Sequence, residues 1–167
     1  MKKVMTTVLL VAPLLAFAAD KSPDQSFYKN LAEGGISEVE AGKLAESKGS
    51  SQAVKDFGAM MVKDHSAAND KLKTLASGEG IDLPTTSSTS QMAAKAKLEV
   101  LSGDSFDKAY IKNQVTAHQQ TVALLKKEIS SGQDAKAKAF ATEVLPTVSG
   151  HLKKIEHIAS EAGVSTK

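Results

Sequence analysis

Four residues of the types that bind transition metals lie in the middle of four amphipathic segments: Glu38, His65, His118 and His151. On a helical wheel of about 100° per residue, each falls on the apolar line of its own segment. A carboxylate buried among aliphatic side chains is costly unless it is paired or bound to a metal. One carboxylate with three imidazoles suits Zn, Fe, Mn or Cu better than Ca or Mg. The pattern therefore predicts a single transition-metal ion held by these four residues.

Three further residues lie about one helical turn from a predicted histidine ligand, on the same apolar line. Asn69 and Gln114 are predicted to orient the imidazoles as outer hydrogen-bonding partners. Met61 is a soft ligand if the metal is copper. These three complete the predicted site.

The same four residues also fit a metal-free polar layer, in which Glu38 accepts hydrogen bonds from the imidazoles and the layer fixes helix register. Within each predicted hairpin the paired residues are offset along the axis by roughly 8 Å, about one and a half turns. On this alternative the protein is a stress or interaction module of the cell envelope. No Ser-His-acid arrangement is readable from the spacing, so the sequence assigns no enzymatic reaction.

Helical spacing and capping signals recur along the chain, whereas strand signals are missing. Ser22-Pro23-Asp24-Gln25 is typical of a helix start with a capping box. Gly49 is expected to end that helix in the left-handed conformation. We predict four long helices near residues 22–48, 51–77, 104–131 and 134–162, and a short helix over 91–101.

Short turns near Gly49 and Gly132 make each consecutive pair of long helices an antiparallel hairpin. Between the hairpins, residues 81–90 form a polar stretch that cannot hold a core. Two hairpins joined by a long crossover with a short extra helix is the ferritin-like connectivity. The predicted fold class is therefore all-α, a ferritin-like four-helix bundle. A plain up-down bundle with a decorated loop is the alternative.

The first eighteen residues have the pattern of a secretory signal peptide: a basic start at residues 1–3, an apolar run over 8–15 and a small-residue site over 16–18. We predict cleavage after about Ala18, a bundle domain over 19–167 and a periplasmic location. The apolar run is short for a membrane span. An uncleaved N-terminal anchor is the alternative.

The charge of the chain excludes some classes of partner. All 21 basic residues are Lys, and removal of Lys2 and Lys3 would leave 19 Lys against 19 acidic residues. A neutral, Arg-free surface with few aromatic residues argues against nucleic-acid binding. Because the chain has no Cys, thiolate ligands and disulfides are excluded. The sequence names neither a protein partner nor an oligomeric state.

Several segments form a specific set of motifs over nearly the whole predicted mature chain: Ala32–Ala45, Val54–Phe57, Met61–His65, Leu101–Gly103 with Phe106, and Leu145-Pro146 with His151-Leu152. Together they resemble an exported bacterial ferritin-like family of unknown function, often labelled periplasmic or outer-membrane protein. The resemblance implies the bundle and the exported location, and it implies no activity.

One departure from that family concerns the third long helix, where such proteins often carry an Asp-His pair like Asp64-His65. This chain has Ala117-His118 instead. It also lacks the Glu-x-x-His pairs of ferritin-like di-iron proteins. A single ion is therefore predicted rather than a di-iron centre.

Overall fold

Helices and their connections make up all of residues 24–166, the part of the chain that the computed structural model describes. The helices are α1 (Gln25–Lys48), α2 (Gln52–Gly78), α3 (Thr89–Glu99), α4 (Gly103–Ser131) and α5 (Ala135–Glu161). This confirms the predicted all-α class. The predicted signal peptide and the predicted capping residues Ser22 and Pro23 lie outside the described residues. Within them, no helix has the length and apolarity needed to cross a membrane.

The connectivity is ferritin-like. Helix α1 packs along α2, and α4 packs along α5, while α1 also contacts α4 and α2 contacts α5. The backbone N–H groups of Ser50 and Ser51 both donate to the carboxylate of Asp107, at 2.8 Å each. The first turn of α4 therefore lies at the end of the bundle where α2 begins. The crossover between α2 and α4 must run the length of the bundle, and its helix α3 packs against α1 and α4.

Two predicted details of the helix ends were wrong. The short helix α3 begins and ends two residues earlier than predicted, because Ser88 caps it through a capping box with Gln91. Gly49 does not end α1 in the left-handed conformation, since its φ is −53° and its ψ is 136°. Glycine is still required there, because a Cβ atom would lie 2.6 Å from the carbonyl oxygen of Ala45.

Two apolar clusters fill the bundle, one toward each end. The cluster toward the start of α2 contains the fully buried Phe57 and Met61, and the other contains Tyr28 and Leu72. The four predicted site residues belong to neither cluster. They lie between the two, so the site is a polar layer enclosed by aliphatic and aromatic side chains.

A second polar group, which we call the carboxylate cluster, consists of the buried Glu128 and the half-buried Asp24 and Asp134. The Asp24 carboxylate accepts hydrogen bonds from the backbone N–H groups of Gln133 at 2.8 Å and Asp134 at 2.5 Å. The Tyr28 hydroxyl donates to Asp134 at 2.8 Å. These bonds hold the start of α1 against the turn between α4 and α5. Burial, followed by the nearby Asp24, raises the pKa of Glu128 to about 7.

Candidate metal site

Three histidines from three different helices meet at the centre of the bundle, and we call them the histidine triad: His65 on α2, His118 on α4 and His151 on α5. Their ring centroids form a nearly equilateral triangle with sides of 5.8, 5.5 and 5.6 Å. One ring nitrogen from each histidine lies within 4.8 Å of those of the other two. The side chains are almost fully buried, with residue exposures of 8, 1 and 4 % in chain order.

The ring of His118 is fixed by its own helix. Its Nδ1 lies 2.9 Å from the backbone carbonyl oxygen of Gln114. A carbonyl oxygen can only accept a hydrogen bond, so Nδ1 carries the proton. In the neutral ring, Nε2 then has a free lone pair, and this buried nitrogen has no hydrogen-bond partner in the protein.

The ring of His151 is fixed by a neighbouring helix, and in this ring Nε2 rather than Nδ1 is the bonded nitrogen. Its Nε2 lies 3.0 Å from Oδ2 of Asp64 on α2. The carboxylate accepts the proton of Nε2, which leaves the lone pair on Nδ1. That Nδ1 is also buried without a partner in the protein. A carboxylate that holds one nitrogen of a histidine is a common way to orient the other nitrogen toward a metal.

Burial disfavours the charged forms of His65 and His151. The pKa of His65 is lowered to about 3, first by burial and then by the neighbouring His118 and His151. Burial also lowers the pKa of His151, against the opposing effect of its hydrogen bond to Asp64. The Nε2 atom of His65 is a third buried nitrogen without a partner in the protein. Neutral imidazoles are the form that binds metal ions.

Glu38 lies beside the triad, on the far side of one of its rings. Its Oε1 is 4.0 Å from Nδ1 of His118, the nitrogen that bonds to the Gln114 carbonyl. The carboxyl is 6 % exposed, and burial raises its pKa above the ordinary value. Among the described residues, the side chains placed to share one ion are the three histidines without Glu38. That Glu38 is itself a ligand stays a prediction.

The three predicted outer residues take different places. The backbone carbonyl of Gln114 holds His118, while its side chain is buried beside Glu38. Asn69 packs against Gly35 of α1. A Cβ atom on Gly35 would lie 1.9 Å from Oδ1 of Asn69. Met61 is fully buried in the apolar cluster that also contains Phe57.

The offset between His118 and His151 along the bundle axis is smaller in the structure than the sequence predicted. His118 lies 13 residues before the end of α4, and His151 lies 16 residues after the start of α5. The three-residue difference corresponds to about 4.5 Å of rise. Each side chain tilts toward the N-terminus of its own helix, so His151 leans toward the turn and His118 leans away from it. The two tilts bring the rings together.

Phe57 covers the triad on the side of its apolar cluster. Its ring packs edge-on against His118 and His151, with centroid distances of 6.0 and 6.5 Å. On the opposite side, toward the end of α2, a cavity of about 330 Å³ reaches His65 and His151. The triad therefore has one closed and one open side.

Asp64, Phe57 and the cavity were not predicted from the sequence. Asp64 directly precedes His65, so it lies about 100° away on the helical wheel and off the apolar line. Its pairing with a histidine from another helix depends on how α2 and α5 pack. The one available signal was the Asp64-His65 pair, which the sequence analysis noted only as part of the family resemblance.

The fold and the buried triad define a ferritin-like bundle with a potential metal centre. The chain belongs to the family described as "Domain of unknown function (DUF4142)", which matches residues 12–158. This confirms the resemblance to a domain family of unknown function. No curated protein matches the sequence.

Three solved structures show the same fold at low sequence identity. A DUF305 protein from Streptomyces coelicolor has a TM-score of 0.72 at 14% identity, covering 87% of this chain and 97% of its own. A DUF305 fragment from Deinococcus radiodurans has a TM-score of 0.73 at 11% identity, with coverages of 84% and 97%. CopM in its Cu(I)-bound form has a TM-score of 0.69 at 16% identity, with coverages of 83% and 96%.

Proposed function

We propose that this protein is an exported metal-binding protein whose histidine triad holds a single transition-metal ion, with Cu(I) preferred. Two observations carry the proposal: one nitrogen of each ring lies within 4.8 Å of those of the other two, and each ring has a buried nitrogen that has no partner in the protein. In His118 and His151 the opposite nitrogen is held by the Gln114 carbonyl and by Asp64. The lone pairs are thus oriented before any ion arrives, which lowers the cost of binding.

The neutral ligands of the triad favour a monovalent ion. The three imidazoles are neutral ligands, and the cost of burying an ion in a low-dielectric core grows with the square of its charge. Imidazole is a suitable ligand for copper as well as zinc. The likeness to CopM, which was solved in Cu(I)-bound and Ag-bound forms, supports the same preference.

A metal-free polar layer explains the site less well. In such a layer Glu38 and the imidazoles would satisfy one another. Instead, three nitrogens of the triad have no hydrogen-bond partner in the protein. Oε2 of Glu38 also has none. An unsatisfied buried polar atom costs about 1–3 kcal/mol. A bound ion would compensate the three nitrogens at once.

The proposed location is the periplasm, supported by the signal-peptide pattern of residues 1–18. Cell fractionation and N-terminal sequencing test it. We expect a mature protein in the periplasmic fraction that begins near Ala19. A full-length chain retained in the membrane would support the uncleaved anchor instead.

Metal analysis of the mature protein, purified without an affinity tag, tests the proposed function. We expect one equivalent of Cu(I) under anaerobic conditions and a higher unfolding temperature on loading. Zn(II), Mn(II) and Fe(II) serve as comparisons in the same assay. Sub-stoichiometric metal, with no thermal shift for any of the four ions, would contradict the proposal and favour the metal-free layer.

A further inference from the structure

The cavity beside the triad is large enough to hold a small molecule. Its volume of about 330 Å³ lies at the lower end of the range of ligand pockets. It is bounded by α1, α2, α4 and α5, and it reaches the surface at the exposed residues Asn30, Ala67 and Lys71. A molecule could therefore enter from solvent and approach His65 and His151.

The direction of the open side follows from the packing around the triad. Phe57 covers the rings of His118 and His151 toward one end of the bundle. The residues that line the cavity lie toward the other end, and they include His65 and His151. Three histidines leave a metal ion with room for at least one more ligand. Among the described residues, the cavity that reaches His65 and His151 provides space for that ligand.

The lining determines what kind of ligand fits. Most of the wall is apolar, built by Leu31, Leu72, Leu124, Phe140, Val144 and Val148. Among the described residues, the one cation in the lining is Lys71, and it is paired with Glu143 at 2.5 Å near the surface. With Glu38 and Asp64 also in the lining, an anion has no compensating charge inside the cavity.

We infer that an ion held by the triad takes a fourth ligand from this cavity, and that this ligand is a neutral soft donor with a small or apolar body, of the class of carbon monoxide and thioethers. This inference rests on the proposed function, because it requires the bound ion. The donor atom would meet the metal, and the apolar body would occupy the space between Leu72 and Val148.

Infrared spectroscopy of the Cu(I)-loaded protein under carbon monoxide tests the inference. We expect a copper-carbonyl C–O band at one carbon monoxide per copper. Dimethyl sulfide should displace the carbon monoxide, whereas azide should not at equal concentration. A fully loaded protein without a carbonyl band, or one in which azide competes better than dimethyl sulfide, would overturn the inference.

Variants that fill the cavity sharpen the test. Ala68→Phe on α2 and Val144→Phe on α5 fill it from opposite walls without changing the triad. Each should retain one equivalent of Cu(I) and lose at least about tenfold in carbon monoxide affinity, since the phenylalanine ring occupies space that the ligand needs. Ala59→Phe is the control, because Ala59 is exposed on the same helix.

The copper content of the protein distinguishes a failure of the proposed function from a failure of the fourth-ligand inference. If the unmodified protein binds no Cu(I), the proposed function fails and this inference fails with it. If copper binds at one equivalent but both cavity variants bind carbon monoxide as tightly as the unmodified protein, the inference alone is wrong. In that case the fourth ligand approaches the ion from another side.

Discussion

The histidine triad, which is buried, and the carboxylate cluster, which is partly buried, lie in one aliphatic bundle, but their polar atoms are satisfied differently. In the carboxylate cluster, Asp24 accepts from two backbone N–H groups and Asp134 accepts from Tyr28. In the triad, protein groups hold one nitrogen of His118 and one of His151, and each of the three rings has a buried nitrogen without a partner in the protein. The first arrangement joins segments of the chain, whereas the second leaves three buried nitrogens unpaired in the protein.

Glu128 shows that a buried carboxyl need not indicate a binding site. One of its oxygens also has no partner, but the carboxylates beside it are already used by backbone donors. Its raised pKa reflects burial and repulsion by Asp24. Convergence of several free lone pairs, rather than a single unsatisfied atom, distinguishes the triad.

Removal of a triad histidine should have the largest effect on metal binding. His118→Leu removes the most buried ligand, and we expect the Cu(I) affinity to fall by more than about 100-fold, beyond the loss typical of outer partners. The stability of the metal-free protein should change little, because leucine fills similar space without an unsatisfied nitrogen. Competition titration against a Cu(I) chelator and thermal melts of the metal-free form measure the two effects.

His157→Leu is the matched control for that variant. The His157 side chain is 71% exposed and pairs with Glu161 on the surface of α5. We expect unchanged copper affinity. Equal losses of Cu(I) affinity in the two variants would mean that copper binds nonspecifically to histidine. The triad would then not differ from the carboxylate cluster as a metal site.

Removal of the carboxylate that holds His151 should have the next largest effect. Asp64→Ala leaves the ligands in place but releases the ring of His151, and we expect a loss of about 10- to 100-fold in Cu(I) affinity. Asp70→Ala is the control, since Asp70 is exposed on the same helix. If both variants lose affinity equally, the effect is one of net charge and not of ring orientation.

In the carboxylate cluster, Glu128→Gln should change stability rather than metal binding. The folded pKa of Glu128 is about 7, above the ordinary 4.5. The contribution of Glu128 to the free energy of unfolding is therefore fully present below about pH 4.5 and is lost as the pH rises through 7. We expect the variant to melt at a higher temperature than the unmodified protein at pH 8, with a smaller difference at pH 5.

The control for this variant is Glu156→Gln, because Glu156 is exposed on α5. Thermal melts of both variants at the two pH values make the measurement. An equal gain at pH 5 and pH 8 would show that Glu128 is not destabilised by its ionisation. A loss of copper affinity in Glu128→Gln would show that the two polar regions are not independent.

Acidification should have the smallest effect on copper affinity. The folded pKa of His65 is about 3 against an ordinary 6.5, so in the folded protein this ring stays unprotonated well below pH 6. We expect less than about a threefold loss of Cu(I) affinity between pH 7 and pH 5, measured by competition titration. A tenfold loss per pH unit below 6.5 would mean that the triad is open to protons.

Folding stability has a different pH dependence from metal affinity. Because the pKa of His65 is lowered on folding, its contribution is fully present above about 6.5 and is lost as the pH falls toward 3. Glu38 has the opposite sign, since burial raises its pKa and acidification relieves its ionisation. In the metal-free protein the two contributions partly cancel.

The sequence predicted the helices, the connectivity and the three histidines because these depend on periodicity and on turn positions. The apolar line on each helix places a residue by angle, and this was enough to bring His65, His118 and His151 to the centre. The end of α1 was predicted less well. The left-handed geometry expected at Gly49 is one of several ways to leave a helix, and contact with α2 selected another.

The sequence could not predict which nitrogen of each ring faces the site. That choice depends on the Gln114 carbonyl in one ring and on Asp64 from a different helix in the other. Helix spacing contains no information on ring rotamers or on contacts between α2 and α5. For the same reason, the sequence alone placed Glu38 on the apolar line of its helix but not beside Nδ1 of His118.

NMR spectra of the histidine ring nitrogens test the central claim most directly. In the metal-free protein, His118 should carry its proton on Nδ1 and His151 on Nε2. On addition of one equivalent of Cu(I), the signals of Nε2 of His65, Nε2 of His118 and Nδ1 of His151 should shift together, while those of His157 stay unchanged. Reversed tautomers, or copper-induced shifts that leave the three unprotonated nitrogens unaffected, would contradict a preorganised triad.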